Sequence, residues 1–213
     1  MALILALDVS NSVDETEDQL QRLGLADALL AEAVQDAFFV SADPVTLAVF
    51  EWSGRYNQTT IVDWTAIETP EDLFDAAARV RGSSRAFFEY PTALGHALGH
   101  ASLMFQDVPN CLFKTIDVSG DGANNDGFPP VNAYGAFEFG DITVNALVIN
   151  GAGLDPNADL IPYFEAEVIR GPGAFVEEAK GFADYANAME RKLVRELSVF
   201  AIGQSITPDD TQG

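Results

Sequence analysis

The chain has 213 residues, with 33 acidic and 11 basic side chains, a formal net charge of −22 and 48% hydrophobic residues. That balance excludes a disordered acidic tail and suits one α/β domain with a substantial core. Acid spread over both halves of the chain argues against nucleic acid and anionic membrane surfaces as partners, and no run approaches the ~20 apolar residues of a membrane span.

Short apolar runs alternate with amphipathic stretches, which predicts a three-layer, Rossmann-like α/β fold built on a mostly parallel sheet. Ala2–Val9 is apolar up to Asp8, as a central strand buried on both faces should be. Glu15–Phe38 reads as one helix with Leu20, Leu23, Ala28, Leu30 and Val34 among its apolar positions, started by a capping box over Ser12-Val13-Asp14-Glu15. Val45–Trp52 is the next strand and Gln58–Trp64 an edge strand. Thr69-Pro70-Glu71-Asp72 starts a helix that runs to about Val80, with Thr as N-cap and Pro at the first position. Thr92–Phe105 is a further helix, its stripe formed by Leu94, Ala97, Leu98, Ala101, Met104 and Phe105. Strands follow at Cys111–Val118 and Ile142–Ile149, the first ending in a Gly/Asp/Asn-rich loop at Ser119–Gly127. Ala174–Val176 reads as a short strand before a helix over Phe182–Leu197. One domain is expected over 1–206, with a frayed tail over 207–213.

Ligand sites in open α/β sheets lie beyond the carboxyl ends of the strands. Three such positions here carry oxygen chemistry: Asp8-Val9-Ser10-Asn11-Ser12, Thr92 at a helix start, and Ser119-Gly120-Asp121-Gly122. An all-oxygen set of carboxylates and hydroxyls is the ligand class of Mg²⁺ or Mn²⁺, not of zinc or copper. Ser12 and Thr92 have an alternative reading as helix caps.

Asp8-x-Ser10-x-Ser12 followed by Thr92 and Asp121 resembles the metal-ion-dependent adhesion site of von Willebrand factor A domains. With Glu51-Trp52-Ser53-Gly54, Asp117-Val118-Ser119-Gly120-Asp121-Gly122, Asn124-Asn125 and Gly171-Pro172-Gly173-Ala174-Phe175-Val176, the chain is similar to a bacterial family of uncharacterised proteins built on that domain. The resemblance covers about residues 3–200 and implies about six strands flanked by helices, with a metal at the upper edge. Ser10 and Ser12 would bind the ion directly and Thr92 directly or through water. Asp8 and Asp121 would mostly hold metal-bound waters. The ion would be Mg²⁺ or Mn²⁺, with Ca²⁺ as an alternative, and an open position would take a carboxylate from a protein ligand. The same resemblance implies a secreted or periplasmic protein, whereas Ala2–Leu7 is too short for a signal-peptide core and has no basic residue before it, which leaves a cytoplasmic protein as the alternative. Glu89-Tyr90-Pro91 before Thr92 departs from the glycines or basic residue often found there, and Tyr90 is expected to rim the site.

Other chemistry is less complete. Asp117 lies about 13 Å from Asp121 along a strand, too far to share an ion, and is expected to make a buried hydrogen bond to backbone or hydroxyls. Asp117-x-Ser119-x-Asp121-Gly122 starts like a calcium-binding loop but has Phe128 where the last acid belongs, and Asp155–Asp159 is a similar fragment. His96 and His100 lie four apart, without the Glu of H-E-x-x-H, point away from the core stripe, and are expected as an exposed pair or a pair under a neighbouring loop. Cys111, the single cysteine, reads as a small core residue. Few lysines (Lys114, Lys180, Lys192) among so much acid suit a protein working in high salt, or an ordinary acidic bacterial surface. With no nucleophile motif, an enzyme is not expected. A structural module with a loop-stabilising metal is the alternative, and a metal-dependent phosphohydrolase using Asp8 comes after it.

Overall fold

Seven consecutive residues of strand β1 (Ala2–Asp8) are buried, the mark of a strand covered on both faces. The computed structural model describes residues 1–108, 111–151 and 159–204. Around β1 it arranges β2 (Val45–Trp52), β3 (Gln58–Ile67), β4 (Lys114–Gly120), β5 (Ile142–Asn150) and β6 (Val176–Lys180) in one sheet of order β3-β2-β1-β4-β5-β6. All neighbours are parallel except β2 and β3, so β3 is the expected edge strand.

Successive strand residues feed two separate cores, as the two-residue period of a strand requires. Leu3, Leu5, Leu7, Leu47, Val49 and Leu147 meet α1 (Glu15–Leu29), α2 (Glu32–Phe39), α3 (Pro70–Gly82) and α7 (Tyr185–Gln204). Ile4, Phe50, Trp52, Ile116, Val118 and Val148 meet α4 (Leu94–Met104), α5 (Pro130–Ala136) and α6 (Ile161–Tyr163), which continues as a π-helical turn to Val168. The strand order reverses at β1, between β2 and β4, and the carboxyl ends of these strands are where open α/β sheets carry ligand sites.

Several local expectations need correction. Glu15–Phe38 is two helices, broken at Leu30–Ala31, where Ala31 is extended (φ −63°, ψ 138°). The capping box lies two residues later than expected: Asp14 accepts from the Glu17 amide and Glu17 accepts from the Asp14 amide, both at 2.9 Å. Leu20 and Leu23 are 40% and 43% exposed, and the inward face of α1 holds Gln21, Arg22, Gly24, Leu25, Ala28 and Leu29 instead. Polar groups occupy that face because they have partners there. Gln21 Nε2 donates to the Asp8 carbonyl at 2.9 Å, and Arg22 pairs with Asp18 at 3.0 Å and with Glu51 at 2.5 Å. Gly24 lets α7 approach, since a Cβ there would stand 3.0 Å from Tyr185 Cδ1.

Further along, the strand expected at Cys111–Val118 runs over Lys114–Gly120, with Cys111 half-buried before it. The last strand is Val176–Lys180 rather than Ala174–Val176, and the final helix starts at Tyr185 after a 3-10 turn over Phe182–Asp184. The Thr69–Asp72 box stands as expected, with Thr69 capping and Pro70 in the first turn. The tail expected over 207–213 lies outside the described residues.

Candidate metal centre

Beyond Asp8 the chain turns sharply, and Arg85 fixes that turn from outside. Its guanidinium donates to the carbonyls of Val9, Ser10 (2.8 Å) and Val13 (2.7 Å). Asn11 N–H donates to the Tyr90 carbonyl at 2.8 Å, joining this turn to the segment that carries Thr92. Thr92 itself is held by Asn125, whose Oδ1 accepts from the Thr92 amide at 2.9 Å.

These constraints bring the five expected residues together. Ser10 N–H donates to Asp8 Oδ1 at 2.8 Å, and Ser10 Oγ lies 3.1 Å from Ser12 Oγ. Ser12 Oγ donates to Asp121 Oδ1 at 2.7 Å, and Thr92 Oγ1 donates to Ser10 Oγ at 3.2 Å. Neither Ser12 nor Thr92 caps a helix. Asp14 caps α1, and the Ala93 that precedes α4 makes no side-chain cap. Asp8, Ser10, Thr92 and Asp121 are buried and Ser12 half-buried.

One oxygen of each carboxylate is buried with no hydrogen-bond partner among the described residues: Asp8 Oδ2 and Asp121 Oδ2. Gly120 keeps space beside the first, since a Cβ there would stand 3.3 Å from Asp8 Oδ2. Two unpartnered carboxylate oxygens beside three clustered hydroxyls are costly in a protein alone and are what a hard, six-coordinate cation requires. The donor set fits Mg²⁺ or Mn²⁺. Among the described residues no group of three or more His, Cys, Asp or Glu side chains offers a softer or more anionic site.

Burial, helped by the neighbouring charge of Asp121, pushes the Asp8 carboxyl up to about 8. Burial also raises Asp121, against the donation from Ser12. A group whose folded value lies above its unfolded one holds its proton to higher pH when folded, so metal-free stability falls as pH rises from about 4 to about 8. A cation must displace that proton. Mn²⁺ binding at pH 7 is therefore expected to release about one proton and to strengthen several-fold by pH 8. Calorimetry in two buffers of different ionisation enthalpy measures the release, and identical heats in both would refute it.

The supporting residues were not visible as such in the sequence. Arg85 sits in a Gly-Ser-Ser-Arg loop with no motif, and only its partners, three carbonyls of the turn, reveal its role. Glu51 accepts from Arg22 and, at 2.7 Å, from the Ala86 amide, tying β2 and α1 to the Arg85 loop. Asn124 and Asn125 stand in the quoted motif, but their task of holding Gly95 (3.1 Å) and Thr92 is a tertiary one.

Asp117 does not bond to backbone or hydroxyls as expected; Lys192 Nζ lies 2.8 Å from its Oδ1, with both residues buried. The calcium-loop reading of Asp117–Asp121 fails because Asp117 and Ser119 belong to β4, which runs to Gly120. Most of the Asp155–Asp159 fragment lies outside the described residues. His96 lies under a neighbouring loop as one of the two expectations had it, stacked on Phe128 at 3.9 Å beside Gly127, whereas His100 faces the core and meets the Phe50 ring at 5.0 Å. Burial lowers both imidazoles from their ordinary value.

A family model described as Protein of unknown function (DUF1194) matches residues 1–201. No curated protein sequence matches the chain. Among solved structures, proximal thread matrix protein 1 from the mussel byssus superposes with a TM-score of 0.68 at 16% identity, covering 92% of this chain and 47% of that one. The same protein with a zinc-occupied MIDAS motif gives 0.62 at 16%, with coverage of 92% and 47%. A von Willebrand factor type A protein from Catenulispora acidiphila gives 0.65 at 15%, covering 92% and 42%. BatB from Bacteroides thetaiotaomicron gives 0.66 at 20%, covering 95% and 99%. The chain thus spans less than half of the mussel and Catenulispora structures, and the likeness is one of fold.

Proposed function

Because this chain belongs to the DUF1194 family and has the fold of von Willebrand factor A domains, we propose that it is a non-enzymatic binding module that grips a protein carboxylate through a divalent cation. The observation that carries this reading is the pair of buried, unpartnered oxygens on Asp8 and Asp121 beside the Ser10, Ser12 and Thr92 hydroxyls. Zinc in the MIDAS motif of the mussel protein supports a metal at this edge of the fold.

In this reading Ser10 and Ser12 would bind the ion directly, Thr92 directly or through water, and Asp8 and Asp121 would orient its waters. Neutral hydroxyls leave most of the ion's charge unneutralised, so the bound ion supplies an electrophile for one carboxylate oxygen of a partner. Mg²⁺ and Mn²⁺ are the metals assigned. The resemblance seen in the sequence supports an exported protein, in the periplasm or at the cell exterior, as part of this reading. No helix among the described residues is long and apolar enough to cross a membrane.

Water-proton relaxation of Mn²⁺ tests the reading. Mn²⁺ added to the wild type is expected to give an enhanced relaxation rate, which glutarate lowers by displacing a metal-bound water. Ser10→Ala removes the enhancement, and p-nitrophenyl phosphate is not hydrolysed with Mg²⁺. Enhancement untouched by glutarate would leave only a loop-stabilising ion, and enhancement untouched by Ser10→Ala would put the metal elsewhere.

A further inference from the structure

Trp52 stands in the Glu51-Trp52-Ser53-Gly54 motif and is the last residue of β2. It is fully buried, and its indole nitrogen has no hydrogen-bond partner among the described residues. A buried indole N–H usually finds an acceptor, and one left without is costly.

An acceptor in the same condition lies on the neighbouring strand. Asp8 and Trp52 are register partners in the parallel pair of β1 and β2, and the Trp52 carbonyl accepts from the Val9 amide at 2.8 Å. Register partners point to the same face of a sheet, here the face that packs against α4, α5 and α6. Gly120 on β4 gauges how near the two side chains come. A Cβ there would stand 3.3 Å from Asp8 Oδ2, 3.3 Å from Phe164 Cζ and 3.9 Å from Trp52 Cζ2. Cζ2 belongs to the indole edge that also carries the N–H. The carboxylate oxygen and that edge thus border one small space beside Gly120, closed by the apolar Phe164 ring. Asp8 Oδ1 accepts from the Ser10 amide at 2.8 Å, whereas Oδ2 has no partner.

Resting on the reading of a divalent cation at this centre, we propose that Trp52 is a positioning residue of the centre: in the metal-loaded protein its N–H donates to the Asp8 carboxylate, directly or across one water. To orient metal-bound water Asp8 must be ionised, and a buried anion needs donors beyond the single Ser10 amide. A carboxylate offers about four acceptor positions, so Oδ2 can serve a metal-bound water and the indole together. The indole N–H carries no net charge, so it supports the anion without repelling the cation, as a lysine or arginine in its place would. Trp52 acts through Asp8 alone. Outer donors of this kind commonly govern metal affinity by about 10–100-fold.

The chain has two tryptophans, and the second serves as an internal reference: Trp64, on the edge strand β3, donates its Nε1 proton to the Met104 carbonyl at 3.0 Å. Protein labelled with ¹⁵N in its indoles is expected to show one N–H resonance from each, assigned with Trp64→Phe. Mg²⁺, which is diamagnetic, should move the Trp52 resonance downfield over the concentrations at which calorimetry records binding, and leave Trp64 in place. Ser10→Ala should abolish the movement. Trp52→Phe, which keeps an aromatic ring and removes the N–H, should weaken Mn²⁺ binding about tenfold. A Trp52 resonance that stays in place, or moves no more than that of Trp64, while calorimetry records bound Mg²⁺ would overturn this inference and leave the metal reading intact. Failure of the wild type to bind either Mg²⁺ or Mn²⁺ would overturn both.

Discussion

Lys192→Met is expected to destabilise the protein by about 3–5 kcal/mol at pH 8, the usual cost of removing one partner from a buried ion pair. The Lys192 ammonium is fully buried between α7 and the sheet, 2.8 Å from Asp117 Oδ1 on β4 and 2.6 Å from Glu196 Oε1 on its own helix. Asn145 on β5 donates to the same Glu196 oxygen at 2.7 Å, and its own carbonyl accepts from the Phe175 amide at 3.0 Å. Two buried carboxylates therefore share one ammonium. Burial outweighs the attraction of Lys192 and pushes Asp117 up to about 7, with the charge of Glu196 adding to the rise.

Without the ammonium the buried Asp117 carboxyl must take up a proton to stay inside. The loss is therefore expected to shrink as pH falls from 8 to 5, where protons replace the missing cation. Chemical denaturation at the two pH values measures this, and Lys192→Met/Asp117→Asn/Glu196→Gln should recover most of the stability. A loss below about 1 kcal/mol at pH 8, or one indifferent to pH, would contradict the ionic account of this cluster.

Asp8→Asn should move two measurements in opposite directions. Asparagine keeps the acceptor for the Ser10 amide and removes a carboxylate that burial and Asp121 both disfavour. In EDTA at pH 8–9 the variant is expected to gain several kcal/mol of stability, since burial lifts this acid from 3.8 to about 8 and each such unit corresponds to about 1.4 kcal/mol. Its affinity for Mn²⁺ should fall about 100-fold, because a residue that orients metal-bound water commonly controls affinity by 10–100-fold. Thermal denaturation with EDTA and with excess Mn²⁺ reads both effects on one instrument. A variant less stable than wild type in EDTA would mean that the second Asp8 oxygen has a protein partner after all.

What the sequence revealed depended on whether a residue's role was local. Thr69-Pro70-Asp72 is a helix start in any context, and the apolar runs at β1, β2 and β5 can only be buried strands. The five candidate residues could be picked out because two strand ends and one helix start carry oxygen side chains, and the resemblance set their order. The phase of α1 was not legible: hydropathy places Leu20 and Leu23 inside, whereas tertiary partners pull Gln21 and Arg22 there. Lys192 and Glu196, four apart on a helix, look like any surface pair until Asp117 is known to lie opposite. The short helices at Pro130–Ala136 and Ile161–Tyr163 carry too few turns for a periodic signal.

The bonds that close the centre join residues 82 apart in the chain for Thr92 and Ser10, and 109 apart for Ser12 and Asp121. Parallel pairing of β1 with β4 must precede them, and contacts of such long range form slowly. No contiguous stretch of the unfolded chain holds the hydroxyls of one segment against the carboxylate of another. An ion held there, as proposed, would therefore have nothing to nucleate and would arrive only after the sheet is assembled. From then on it would add to the native state alone, by mass action. Its occupancy would report that the chain has finished folding, and its main kinetic effect would be to retard unfolding rather than to hasten assembly.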